Sequence, residues 1–136
     1  MIATRFSQAL RCLCLLLAIT ATGCGPVQIE GGTPGRLSSG GNPIRDVELS
    51  LYPAAAAQRI GYGVTGPEGD FHLITADSVG SLDLPPGSYR VTLESIGAPV
   101  ELPSVYADRQ STPLHVAWPA GERIELDVPG LKLQGN

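Results

Sequence analysis

Short runs of alternating apolar and polar residues, separated by glycine and proline turns, constrain the fold of this chain more than any other feature. The alternation is regular at 46–51, 89–93 and 123–128, where every second residue is Val, Leu, Ile or Tyr. Because successive side chains of a β-strand point to opposite faces, each run predicts a strand with one buried and one wet face. The 17 Gly and 12 Pro supply the turns between such strands, and no long helical pattern follows residue 24.

Three further runs, at 59–65, 70–75 and 114–118, complete a set of six or seven short strands. Turns separate the strands about every 8–12 residues, a spacing typical of sandwiches and barrels. The fold class that we expect is therefore all-β, a single antiparallel Greek-key β-sandwich of about seven strands. The one stretch that favours a helix, 54–57, has room for only about one turn.

The first 23 residues do not belong to this domain. Arg5 and Arg11 give a positive start, and the apolar run 10–19 is about half the length that would span a bilayer. Small residues follow this run. The pattern is typical of a secretory signal peptide, so we expect 1–23 to be a helical targeting segment that is cleaved from the mature protein.

The residues at the expected cleavage site are Ala21, Thr22 and Gly23, followed by Cys24. This run resembles the lipobox of bacterial lipoproteins, with Ala21 at a position where the family usually has Leu. The resemblance implies that the Cys24 thiol carries a diacylglyceryl group, that cleavage leaves Cys24 first, and that its amine is acylated, for example with palmitate. Gly25, rather than Asp, follows the cysteine, which by the same resemblance implies an outer-membrane location. A simple cleaved secretory signal is the alternative.

Cysteine content and charge exclude several classes of function. Cys12 and Cys14 leave with the signal peptide, so the mature chain has no disulfide framework and no thiolate zinc site. Loss of Arg5 and Arg11 takes the net charge from −4 to −6. A basic stripe is absent, which excludes nucleic acid as a partner. The membrane, reached through the acyl chains on Cys24, is the partner that the sequence predicts.

Composition divides the mature chain into three parts. Residues 24–40 are rich in Gly, Ser and Pro, which predicts a flexible tether after the lipidated cysteine. Residues 41–130 hold the predicted strands and form the expected domain, and residues 131–136 form a short tail.

Three segments together resemble the carboxypeptidase regulatory-like domain. Residues 41–49 are similar to its entry motif G-x-P-L-x-x-V-x-V, residues 64–71 to its hairpin T-D-x-x-G-x-F, and residues 84–91 to its strand entry L-P-x-G-x-Y-x-V. The resemblance covers most of residues 41–128, and Gly66 stands where the family often has Asp. It implies a transthyretin-like (prealbumin-like) sandwich. It implies no activity, since sandwiches of this kind have many roles.

The sequence contains no catalytic signature. No nucleophile elbow, zinc-binding helix or phosphate loop occurs, so we expect a protein that is not an enzyme and needs no cofactor or metal. Both histidines, His72 and His115, lie between apolar neighbours on predicted strands, and alternation points them outward. A weaker hypothesis places a hydrolase or metal site near Asp70 and His72, where Glu68 could also converge.

Aromatic residues provide the remaining candidates for binding. Alternation directs Tyr89 and Trp118 toward the core, which leaves Tyr62 and Tyr106 as the possible ligand-binding pair. The function that we expect is a non-catalytic, lipid-anchored envelope protein that serves as a structural or interaction module. The alternative is a protein that binds envelope glycans or another small ligand through these tyrosines.

Overall fold

Strands provide nearly all the regular structure of the described part of the chain. A computed structural model describes residues 29–97 and 100–133. The only helix in this part of the chain is the 3₁₀ turn η1 (Ser104–Tyr106). The strands are β1 (Pro34–Ser39), β2 (Asn42–Pro43), β3 (Val47–Pro53), β4 (Gly61–Val64), β5 (Asp70–His72), β6 (Ile74–Thr75), β7 (Gly87–Ser95), β8 (Val100–Glu101), β9 (His115–Trp118), β10 (Ile124–Asp127) and β11 (Lys132–Leu133). The predicted all-β class is confirmed.

The larger sheet has five strands in the order β6-β4-β3-β7-β9, and every pair is antiparallel. Its centre is the long pairing of β3 with β7, in which Leu49 lies opposite Leu93 and Leu51 opposite Val91. These four side chains are almost completely buried. The alternation in the sequence therefore identified the inward face of this sheet correctly.

The smaller sheet is built around β1. One edge of β1 pairs with β10, in parallel, and the other edge pairs antiparallel with β5 and then with β2. The expected antiparallel pairing thus holds throughout the five-stranded sheet but not for β1 and β10. The parallel pair is possible because a long stretch of chain, including all five strands of the larger sheet, separates the two strands.

The tether predicted for residues 24–40 was wrong for its last part. Residues 34–39 form the central strand of the smaller sheet, and Leu37 is fully buried in it. The glycine of this strand, Gly35, has a packing role, because a Cβ added to it would lie 2.1 Å from Cζ of Phe71. Gly35 therefore makes room for the Phe71 ring. The start of the tether, Cys24 included, lies outside the described residues.

The run 70–75 was predicted as one strand, and the structure divides it between the two sheets. β5 pairs with β1, whereas β6 pairs with β4. At the break, the Leu73 amide donates to the Thr33 carbonyl (3.0 Å), and the Leu73 carbonyl accepts from the Leu82 amide (2.9 Å). The chain crosses from one sheet to the other here with its backbone hydrogen bonds satisfied.

The two sheets share one core, in which Phe71 touches both. Its ring lies against Gly35 of the smaller sheet and against Gly63 of the larger one. Fourteen further side chains complete the buried cluster: Leu37, Ile44, Val47, Leu49, Leu51, Leu73, Leu84, Tyr89, Val91, Leu93, Val116, Ile124, Leu126 and Val128. The cluster is nearly all aliphatic, so burial of apolar surface dominates its contribution to stability.

The predicted tail, residues 131–136, begins inside the folded domain. The Leu131 amide donates to the Ser39 hydroxyl (3.2 Å), and β11 pairs with β8 in a two-stranded ribbon. Residues 134–136 lie outside the described part. The ribbon joins the chain that follows β7 to the chain that follows β10.

The strand directions define two ends of the sandwich. β1 and β7 begin, and β3, β6 and β9 end, at one end, which we call the entry end. The loops 54–60, 76–86 and 119–123 lie at the entry end. The opposite end carries the turns 40–41 and 65–69 and residue Ile96, whose amide donates to the Asp46 carbonyl (2.9 Å).

Candidate functional site

One margin of the sandwich is formed by two strands that lack a partner on their outer edge. β9 pairs only with β7, and β10 pairs only with β1, among the strands that the structure describes. A narrow groove of about 150 Å³ lies between β9 and β10. We call the two outer edges with this groove the open margin.

Hydrogen-bond alternation shows which backbone groups point out of the open margin. The Val91 amide donates to the Leu114 carbonyl (3.0 Å), so residues 114, 116 and 118 bond toward β7. His115 and Ala117 therefore turn their N–H and C=O groups outward. On the other strand, the Val128 amide donates to the Ser38 carbonyl (2.8 Å), which leaves Glu125 and Asp127 facing outward in the same way.

The side chains along the open margin form a groove of mixed polar and apolar character with an acidic rim. Trp118 and Ile124 line the groove, and both pack against the core. Glu122, Glu125 and Asp127 are exposed along the rim. Arg123 is the one cation of this rim, and it bonds Glu125 and lies 3.9 Å from the Asp70 carboxylate. The rim keeps an excess of negative charge.

The opposite margin of the sandwich is closed by the chain itself. Ser81 bridges Ile74, and the Thr33 amide donates to the Leu82 carbonyl (2.8 Å). Residues 81–82 thus run between the two sheets where β5 gives way to β6. An unpaired strand edge is a template for pairing with another chain, so the two margins differ in their capacity to accept a further strand.

The structure places Asp70 and His72 on the outer face of the smaller sheet, where both are exposed. Asp70 and Glu125 lie on either side of Arg36 in register, and Asp70 also faces Arg123. Within the described residues, no group of three or more His, Asp or Glu side chains could hold a metal ion. Asp70 is thus surrounded by arginines, which suits cross-strand charge pairing.

The two tyrosines proposed for ligand binding belong to different elements, Tyr62 to β4 and Tyr106 to η1. Tyr62 is on the outer face of β4, and the Arg59 guanidinium lies 4.5 Å from its ring centre. Tyr106 belongs to η1 and packs against the core. Both rings are half-buried instead of exposed, Tyr62 because a cation covers one face and Tyr106 because it fills the edge of the core.

Two further aromatic side chains and both histidines lie where the alternation predicts. Tyr89 is buried and Trp118 packs on the core, as the alternation predicts. His72 and His115 are exposed, also as predicted. The outward edges at Ala117 and Glu125 were missed, because sequence patterns show that a strand exists but not which strands end a sheet.

The lipidation site lies outside the part of the chain that the structure describes. Cys24 and the lipobox residues Ala21, Thr22 and Gly23 all precede Ile29. Among the described residues, no helix has the length and apolar character needed to cross a membrane.

Comparison with known proteins gives no match: no family model, curated protein or solved structure is significantly similar to this chain.

Proposed function

We propose that this protein is a non-catalytic, lipid-anchored component of the cell envelope that acts as a structural or interaction module. The open margin carries the proposal. Its outward backbone groups, at Ala117 on β9 and at Glu125 on β10, suit the addition of a strand from another protein. On the opposite margin, residues 81–82 cover the point where β5 gives way to β6.

The occupant that fits the open margin is an extended segment of an envelope protein. Main-chain hydrogen bonds to β9 or β10 supply affinity in this mode of recognition, and pockets for alternate side chains supply specificity. The groove beside Trp118 and Ile124 would accept a small apolar side chain. The acidic rim favours basic residues at the outward positions of the added strand.

The anchor in this proposal is the acylated Cys24, with the outer membrane as the location. Two or three acyl chains hold a protein on a bilayer, whereas one chain binds only weakly. Cys24→Ser should move the protein from the membrane fraction to the soluble fraction and remove the lipid mass from the intact chain. A membrane fraction unaltered by this substitution would contradict the anchor.

A photo-crosslinking amino acid tests the interaction directly. We expect the probe at Ala117 or Glu125 to capture a defined protein several-fold more than the same probe at exposed Glu68 or Glu94, which lie off the margin. Equal capture at all four sites would contradict the proposal. Capture of glycan by a probe at Tyr62 would favour the alternative, an envelope glycan-binding protein.

We also propose that the sandwich is a carboxypeptidase regulatory-like, transthyretin-like domain with Greek-key connections. The support is the position of the three motifs: 41–49 covers β2 and the start of β3, 64–71 covers the turn into β5, and 84–91 leads into β7. An experimental structure of the mature protein tests this directly, and a strand order different from that family would overturn it.

A further inference from the structure

The N-terminal part of the described chain and the loop 76–80 lie side by side at the entry end. A Cβ added to Gly31 would lie 3.5 Å from the Ser81 hydroxyl, and the Thr33 amide bonds the Leu82 carbonyl. Residues 81–82 directly follow the loop. The chain that leads back to Cys24 therefore leaves the domain beside this loop.

The loop 76–80 is fixed by hydrogen bonds at its base and in its interior. The Thr75 amide donates to the Gly80 carbonyl (2.9 Å), and the Ser78 amide donates to the Thr75 carbonyl (2.9 Å). The Asp77 carboxylate accepts from the Thr75 hydroxyl and from the Val79 amide (3.2 Å), and these two donors lower the pKa of Asp77. Such local bonds hold a loop in one conformation.

A second contact secures the loop to the larger sheet. The hydroxyl groups of Ser78 and Tyr62 are hydrogen-bonded to each other, and Ser78 has a φ of 63°. A positive φ at a residue other than glycine persists only where the surroundings enforce it. The surrounding contacts therefore fix the conformation of the loop, and Val79 directly follows Ser78, the residue with the positive φ.

The loop 76–80, fixed in this way, exposes an apolar side chain to solvent. Val79 is 79% exposed, compared with 42% for Val64, 45% for Ile96 and 40% for Val105, the other large apolar residues that are exposed in the described part. Because hydrogen bonds fix this loop, the side chain of Val79 has a defined position, and transfer from water to an apolar environment would be favourable for it.

The distance to the lipidation site is short. Five positions separate Cys24 from Ile29, so the connecting chain spans at most about 18 Å when fully extended. If Cys24 is acylated, as the proposed function holds, the entry end must stay within that distance of the bilayer. The opposite end, with Ile96, then faces away from the bilayer.

We propose that the loop 76–80 docks on the lipid surface that holds Cys24, with Val79 entering the headgroup region. The inference rests on the proposed function and deepens it, because the loop would fix the orientation of the domain. Strand β9 then runs toward the bilayer and β10 runs away from it, so the open margin extends to the far end and stays accessible to partners.

The carboxylates beside the loop favour one class of lipid. Glu30, Asp77 and Asp83 are all exposed near the loop. Anionic headgroups would repel these carboxylates within a Debye length, so the contact suits zwitterionic lipid such as phosphatidylethanolamine.

A single fluorescent probe tests the docking. Val79→Cys in the lipidated protein provides one free thiol, since the sulfur of Cys24 carries the diacylglyceryl group, and Ile96→Cys is the matched control at the opposite end. The labelled proteins are reconstituted in phosphatidylethanolamine–phosphatidylcholine vesicles that contain spin-labelled lipid. We expect quenching at position 79 to exceed quenching at position 96 several-fold, and to fall when phosphatidylglycerol is added.

Equal quenching at the two positions, in a protein whose intact mass shows the acyl groups, overturns the docking and leaves the anchor in place. A protein whose mass shows no acyl groups overturns the anchor of the proposed function instead. In that case, the probe at position 79 should show no quenching with any vesicle.

Discussion

The two sheets of the sandwich differ in how visibly the sequence encodes them. The larger sheet is centred on β3 and β7, whose residues alternate regularly between apolar and polar. The smaller sheet is centred on β1, whose sequence Pro-Gly-Arg-Leu-Ser-Ser reads as a linker. Both central strands are nevertheless buried on their inward face, so burial is not always accompanied by an apolar sequence.

The difference has a physical cause in the packing across the two sheets. In the larger sheet, the strand β7 beside β3 contributes large side chains to the core. In the smaller sheet, the space at Gly35 of β1 is filled by the ring of Phe71 from the neighbouring strand β5. The large ring of Phe71 occupies the space that a side chain at position 35 would need, so only glycine fits there without displacing the ring. A segment rich in glycine can thus be a core strand when a neighbour supplies the volume.

The largest expected effect comes from the side chain that joins the two sheets. Phe71→Ala should lower the free energy of unfolding by about 3–5 kcal/mol, because the ring is buried between Gly35 and Gly63. Urea unfolding followed by circular dichroism measures this loss. His72→Ala, an exposed neighbour on the same strand, is the control and should change little; an unchanged midpoint for Phe71→Ala would refute the shared core.

The next effect distinguishes a core strand from a linker. Leu37→Ala should cost about 2–5 kcal/mol, since Leu37 is fully buried on β1. The same substitution in a flexible tether would cost nothing. The test compares the melting temperature of Leu37→Ala with that of Leu49→Ala on β3. A Leu37 variant as stable as the parent would support the original prediction that residues 24–40 form a flexible tether.

A smaller effect is expected from filling the space above β1. Gly35→Ala should cost about 1–3 kcal/mol, because the new Cβ overlaps the Phe71 ring and the ring must move. Gly66→Ala is the matched control, since its Cβ would meet only the Asp70 carbonyl at 3.7 Å. Combining Gly35→Ala with Phe71→Leu should cost less than the sum of the two single changes. Simple additivity would contradict direct contact.

The smallest effect concerns the one buried phenol of the larger sheet. Burial raises the pKa of Tyr89, whose hydroxyl donates to the Pro85 carbonyl. Because the folded-state pKa lies above the unfolded one, this contribution is complete below the unfolded pKa and is lost as the pH rises toward the folded pKa. Tyr89→Phe should cost about 0.5–1.5 kcal/mol at neutral pH and flatten the alkaline decline.

Urea unfolding between about pH 8 and pH 11 measures the alkaline decline of Tyr89→Phe against the parent protein. Tyr52→Phe, on the outer face of β3, is the matched control. An identical decline with and without the Tyr89 hydroxyl would show that this phenol does not contribute to it.

The sequence predicts much of the fold because alternation is a local signal. It located β3, β4, β7, β9 and β10 within a few residues and assigned the inward faces of β3, β7 and β10. It missed β1 because Gly and Ser conceal burial there. It joined β5 to β6 because the change of sheet at Leu73 depends on hydrogen bonds to Thr33 and Leu82, which are distant in sequence.

The candidate site was less predictable from the sequence than the fold. Whether Ala117 and Glu125 face an open edge depends on strand order, which local patterns do not determine. The tyrosines chosen for ligand binding were selected by elimination, and the contacts of Tyr62 with Arg59 and of Tyr106 with the core are tertiary. The lipobox is a local motif, and for that reason the sequence alone predicts the anchor.

The measurement that tests the proposed interaction most directly is partner capture after the outward amides are removed. Ala117→Pro and Glu125→Pro each delete an N–H that points out of the sandwich and keep the pairing with β7 and β1. With crosslinking probes on the same margin, the account predicts that capture falls at least several-fold while the melting temperature stays close to that of the parent. Undiminished capture by both folded variants would contradict strand addition at the open margin.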